Sequence, residues 1–516
     1  MIKKSILLFI YIVLGCSIVF AQAQEELPAY GKVDFTKIIR PWDGFGFNYV
    51  ETAQTFDYQK WPQDYGGFSK LNEADKKEII DLIFGEDGLK VSLIKMFLDP
   101  LHQTEKGGPY DHKTTTAHMR HFVKSGLALS KLRGDDLSII STLYSPPAYI
   151  TKQKILRGRD LDPEHLDDLC DYYVDWAYFL KEEGFPIKYL SLHNEGEDWY
   201  RWPADGGHGH IIEVGHDYNF FWPIGQTTTV IKRLREKLDQ RNLQDIGITN
   251  GEYTNWYRFN AWGYGDELVS DDKAMENLAM ITSHGFYVGD MSAGHWYGPH
   301  TSSGNDKLRE KKPLLHSWTT STAWNTFTRV QPRVYYTDWD FIKQIQNSIY
   351  EAKLNGIIPW AGIQTESEWN KPDPNPGCAI RVFDDGTWQI NKAYYYYKQV
   401  SRVGQPGTNV VDAYIMSTEL SLIAFGQGKQ GTSNALVVIN SSNEPRHMSL
   451  EIKGLKGNNL KAYRTAGRED IIVKETRSPS DPEGENYQPI SDFTLIDGVL
   501  AYTAPPGSVT TFAEKE

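Results

Sequence analysis

The stretch YLSLHNEGEDW, residues 189–199, changes character at its midpoint. The run from Ile187 to Leu192 is rich in apolar and aromatic side chains, and it passes without a turn signal into His193, Asn194 and Glu195. A short apolar run that ends abruptly in an imidazole, an amide and a carboxylate is the pattern of a buried parallel strand whose C-terminal end opens on a functional face. The segment before it supports this. Asp162 is placed to cap a helix with Pro163 at its first position, and Gly184 follows its end. Between them Leu166, Leu169, Tyr173, Trp176, Ala177 and Leu180 recur at helical spacing, so one face is apolar and lies on a sheet.

Outward from this unit, short β-like runs alternate with helix-like stretches. The other candidate strands are GFGFNYVE (44–51), KVSLIKMFLD (90–99), LSIISTLYS (137–145), IGITNGE (246–252), AMITSHGFY (279–287), KPLLHSWTT (312–320) and NGIIPWAGIQ (355–364). With IKYLSLHNE (187–195) these make eight, the number a (β/α)8 TIM barrel requires. After Gly404 the texture changes to short alternating runs separated by Gly, Asn, Ser and Pro, which predicts an antiparallel β-sandwich. GKVDFTKII (31–39) alternates well but has no barrel partner, so it is expected to join that sandwich. The expected division is a signal peptide over 1–23, an N-terminal sandwich strand over 24–42, the barrel over 43–403 and the sandwich over 404–516.

The first residues, MIKKSILLFIYIVLGCSIVFAQAQEE, order two lysines, an apolar run and a small-residue cleavage pattern. The run is shorter than the roughly 20 residues of a membrane span, so a secreted or periplasmic protein with no transmembrane segment in the mature chain is expected. Cleavage before Cys16 would instead give a lipid anchor. The formal charge of −13 becomes more negative once Lys3 and Lys4 are removed, which argues against nucleic acid as a partner. Only Cys170 and Cys378 follow the leader, so stability rests on the core and not on a disulfide framework. Fifteen Trp and 30 Tyr, many beside Gly, Asp, Asn or His, offer faces for stacking sugar rings. The loops EDWYRW (197–202), GHWYG (294–298) and YYTDWD (335–340) are expected to wall a carbohydrate cleft. The sequence does not specify an oligomeric state.

On a barrel, the strand ends carry the site. That rule gathers Lys95, Tyr144, His193, Asn194, Glu195, Glu252, His284, Tyr287, Trp318 and Trp360, with Trp42, Glu51 and Trp199 beside them and Glu366 and Glu368 just beyond strand eight. Arg201, Lys95 and Arg258 could pair with a uronate or sulfate, or equally with rim carboxylates. His208, His210 and His216 lie in a glycine-rich run that supplies no fixed ligand scaffold, so neither a metal nor a cofactor is expected.

SLHNE at the end of strand four resembles the Asn-Glu signature of retaining glycosidases built on this barrel. DGFGFN, YSPPAYI, SHGFY and the closing PPGSVTTF are similar to glycoside hydrolase family 30, whose side sandwich is assembled from segments before and after the barrel. The resemblance implies an O-glycosyl hydrolase with Glu195 as general acid/base and Asn194 contacting the hydroxyl beside the anomeric carbon. It further implies a nucleophilic Glu ending strand seven. In LLHSWTTSTAW (314–324) that place holds Thr320 or Ser321, and a hydroxyl there lacks the base it would need. Three readings remain open. The second carboxylate has moved to Glu252, Glu366 or Glu368; the strand register is displaced; or the barrel binds carbohydrate without cleaving it.

Overall fold

The computed structural model describes residues 27–51, 64–98, 101, 103–111, 116–155, 158–198, 204, 220–286, 303–324, 326–327, 334–365, 377–429, 432–472 and 484–515. Strands Gly44–Asn48, Leu93–Leu98, Ser138–Leu143, Ile187–Ser191, Gly247–Thr249, Leu278–Ser283, His316–Thr319 and Gly356–Ile357 form a closed parallel barrel in chain order. Gly356 closes it by pairing with both Trp318 and Gly44. The first strand must lie tightly against its neighbours. A Cβ on Gly46 would fall 2.5 Å from Ile358 and 2.7 Å from the Leu93 carbonyl, so only glycine fits.

Alternation along the strands divides the barrel interior into an apolar floor and a polar upper layer. Leu93, Ile140, Met280, Trp318 and Ile358 pack together at the lower level. Two residues on, the same faces of strands two and three present Lys95 and Thr142; four residues beyond Met280 comes His284. The polar layer thus sits at the C-terminal ends, over an apolar floor.

The helix before strand four is as its pattern predicts. Asp162 accepts a hydrogen bond from the Glu164 amide, a short 3-10 turn covers Pro163–His165, and the α-helix runs Leu166–Glu182. Its buried face includes Leu169, Tyr173, Trp176, Ala177 and Leu180, and the Trp176 indole donates to the Ser141 hydroxyl. Gly184 then turns the chain at φ +84, in the left-handed region that favours glycine.

The side domain is one nine-stranded sheet. Its order is Gln488–Thr494, Asn459–Ala466, Ser508–Glu514, Ala435–Asn440, Leu420–Gly426, Asn409–Ile415, Ala29–Pro41, Arg446–Lys453 and Val499–Ala504. Phe493 and Tyr502 come from its two end strands, yet their rings lie 5.4 Å apart and both contact Phe512. The sheet therefore curls onto itself as two packed layers around Val33, Leu422, Leu436, Leu450, Leu460 and Leu500. The N-terminal strand joins it, antiparallel to Asn409–Ile415 but parallel to Arg446–Lys453, so the domain is not wholly antiparallel.

Strand eight ends at Ile357, because Asn48 fixes the following turn through the Pro359 carbonyl and the Gly362 amide. Ile363–Thr365 instead begins a small sheet with Ile380–Val382 and Trp388–Ile390. The YYTDWD stretch is tied to the side domain. Val334–Thr337 pairs with Glu469–Ile472 of the side domain, and the Arg468 guanidinium lies 3.9 Å from the Tyr336 ring centroid.

Trp42 also leaves the candidate site. It is buried between the two domains, donating to the Gly404 carbonyl and packing on Phe45 and Phe425. Among the described residues no helix is long and apolar enough to cross a membrane.

Candidate active site

Strands four and five meet at the rim through a backbone ladder. The Glu252 amide donates to the His193 carbonyl at 2.8 Å, and the Glu195 amide donates to the Glu252 carbonyl at 2.6 Å. This ladder holds Glu195 at φ +41, a costly conformation for a residue with a side chain. The two carboxylates so fixed are both buried.

Glu252 is gripped from three strands. Lys95 donates to Oε2 at 2.5 Å, His284 Nε2 lies 2.9 Å from the same oxygen, and the Thr142 hydroxyl donates to Oε1 at 2.7 Å. Burial pushes the Glu252 carboxyl up, but the Lys95 ammonium and His284 outweigh it and hold it at about 2. The carboxylate is therefore ionised at every working pH. His284 also reaches Glu195, with Nδ1 2.9 Å from Oε1. Two such contacts on opposite sides of one imidazole put the facing oxygens roughly 7–8 Å apart, within the spacing of inverting glycosidases and beyond that of retaining ones.

Tyr144 and Trp360 stand beside this cluster with stacked rings 6.3 Å apart, and Lys95 Nζ lies 5.6 Å from the Trp360 centroid. At the end of strand seven Thr320 and Ser321 are buried, and Lys95 donates to the Ser321 hydroxyl at 3.3 Å. The ammonium thus reaches toward the place where the family resemblance calls for a carboxylate.

Of the residues expected at the rim, Lys95, Tyr144, Asn194, Glu195, Glu252, His284 and Trp360 gather here. His193 lies beneath: its ring packs on Trp222 and Tyr253, its Nδ1 accepts from the Gly196 amide, and burial lowers it to about 3, so it is neutral. Trp318 is corrected to the opposite end of the barrel, where its indole donates to Asp43 at 2.7 Å. Arg258 pairs with Glu197 and Asp198, and Lys95 with Glu252, so neither is left over for a uronate. Trp199, Arg201, the three histidines at 208, 210 and 216, Tyr287, the GHWYG loop, Glu366 and Glu368 lie outside the described residues. Thr142 was missed, although its spacing two residues after Ile140 marks an inward polar group.

Glu51, expected at the rim, has a different task. It accepts a hydrogen bond from the Met119 amide in the first turn of Ala117–Leu132, and burial pushes its carboxyl up to about 9. A carboxyl raised by folding from an ordinary value of 4.5 contributes stability below pH 4.5 and loses it as pH rises toward 9. Glu51→Gln, which keeps an acceptor oxygen, is therefore expected to be more stable than the native protein at pH 8 by on the order of 2 kcal/mol and unchanged at pH 4. Urea unfolding at both pH values checks this; equal stability at pH 8 would contradict it.

No protein-family model matches the chain, and no curated protein matches it in sequence. Solved structures do match in fold. The GH30 endoxylanase from Clostridium papyrosolvens superposes with a TM-score of 0.62 at 13% identity, covering 94% of this chain and 100% of that one. An endo-beta1,6-glucanase gives 0.64 at 15% identity, covering 94% of each. A conserved exported protein from Bacteroides fragilis gives 0.64 at 14%, covering 94% and 100%. The fold is thus of the glycoside hydrolase family 30 kind, barrel and side domain together.

Proposed function

We propose that the protein is an exported O-glycosyl hydrolase acting on a plant or algal polysaccharide or its oligosaccharides. Glu195 is the general acid, and Glu252 replaces the carboxylate absent from strand seven. One observation carries this reading: two buried carboxylates on adjacent strands converge on a single imidazole at the active face of the barrel. The His284 ring fills the line between their facing oxygens, so an attacking water must sit beside that ring; the spacing matches direct displacement with inversion and is too wide for a covalent intermediate. Glu252 would orient and deprotonate that water while Glu195 protonates the leaving oxygen. Tyr144 and Trp360 offer aromatic faces for a sugar ring, and Asn194 a polar contact. The amino-terminal leader supports export, as does the likeness to a protein described as exported.

A second reading, a carbohydrate-binding barrel without activity, is favoured by Thr320 and Ser321 at the end of strand seven and by Lys95 neutralising Glu252. Release of new reducing ends from a panel of neutral, uronate-bearing and sulfated polysaccharides separates the two. Release from at least one is expected. Saturable binding with no release from any would favour the binding protein.

A further inference from the structure

We propose that His284 is a positioning residue that shares a single proton with Glu195 and so keeps the general acid supplied with the proton it must donate. This rests on the hydrolase reading above. The geometry sets the proton count. A neutral imidazole has one N–H, yet both ring nitrogens of His284 face a carboxylate oxygen at 2.9 Å. Glu252 accepts from the Lys95 ammonium and the Thr142 hydroxyl as well, so it is ionised and the Nε2 proton belongs on its side. The remaining contact, Nδ1 to Glu195 Oε1, needs one more proton, carried either by the ring or by the carboxyl.

The charged and titratable groups facing His284 are Glu195, Glu252, Lys95 and His193. Lys95 is committed to Glu252, and His193 is neutral beneath the site, so the Glu195–His284 pair is the unit left to titrate near neutral pH. Burial and Lys95 act to lower His284, but the two carboxylates outweigh them and hold it above its ordinary 6.5. In the reaction the shared proton passes to the glycosidic oxygen. The electron pair of the breaking C–O bond stays on that oxygen, Glu195 becomes a carboxylate and the ring becomes neutral. Water supplies the new bond to the anomeric carbon and gives its proton to Glu252. Glu252 then releases that proton to solvent, and solvent returns one proton to the Glu195–His284 pair, which restores the resting state.

Two measurements test the pair. The first follows the His284 ring by nitrogen NMR through a pH titration in the native protein and in Glu195→Gln. The titration is expected to fall by about one pH unit or more when the carboxylate is removed. An unchanged titration overturns the shared proton, whether or not any glycan is cleaved. The second follows kcat/KM against pH for His284→Gln. Its alkaline limb is expected to move acidward by about one unit or more, because the acid form loses its raised partner. A uniform loss of rate with an unmoved limb would mean a merely structural role. A shifted NMR titration in a protein that cleaves no glycan supports the proton pair while overturning the hydrolase reading.

Discussion

Glu252→Gln is expected to lower kcat by about a thousandfold, with substrate affinity changed far less. Removal of a positioned general base costs about 10²–10⁴ in rate, and no second carboxylate stands at the end of strand seven to share the load. The amide oxygen can still accept from Lys95 and His284, and its NH2 can donate to the Thr142 hydroxyl oxygen, so the rim keeps its hydrogen bonds although Lys95 loses its counter-charge. Initial rates and binding isotherms on the substrate found by the panel give both quantities. Glu366 was an equal candidate in the sequence. An active Glu252→Gln variant would point to that residue or to its neighbour Glu368, and would remove Glu252 from the chemistry. The spacing of the two carboxylates makes a companion demand: the product anomer, followed by proton NMR in the first minutes, should be inverted relative to the bond cleaved.

Lys95→Met is expected to destabilise the fold by about 3–5 kcal/mol at pH 7, the usual cost of leaving one member of a buried ion pair unpartnered. Lys95 and Glu252 are both fully buried, and the ammonium is what holds the carboxyl at about 2. In the native protein that lowered value contributes stability above pH 4.5, lost as pH falls toward 2. Without Lys95, burial acts on Glu252 unopposed by the ammonium, so its folded value rises and the penalty grows with pH. The difference between variant and native should therefore shrink as pH falls below 4.5. Lys95→Met combined with Glu252→Leu should recover most of the loss, since replacing both charges by apolar groups is often neutral or better. Urea unfolding of native, single and double variants measures this. A single variant as stable as the native protein at pH 7 would contradict the ion pair's assigned role.

What the sequence made legible follows from local rules. The alternation of β-like and helix-like runs located a segment in each of the eight barrel strands, though not their ends, and the passage from Leu192 to His193 marked the functional end of strand four. Contacts between distant strands were not legible. Lys95 and Glu252 are separated by 157 positions, and nothing local says that one neutralises the other. Thr142 and Ser321 join the cluster only because strands three and seven face the same space.

The aromatic residues misled for a related reason. Trp318 lies in a strand that begins at His316 and not at Lys312, so it falls on the barrel floor. Trp42 sits in the seam between the domains. Tyr336 is drawn to the side domain by pairing with Asp470, a partner that no window around residue 336 contains. Contacts within the protein account for the placing of these rings.

The role of Glu195 is tested most directly by reducing-end release from the native protein and from Glu195→Gln, on the substrate the panel yields, across pH 4 to 9. Release by the native protein is expected, with a loss of about 10²–10⁴ in the variant at every pH and binding retained. Release by Glu195→Gln at a rate near that of the native protein would contradict that role.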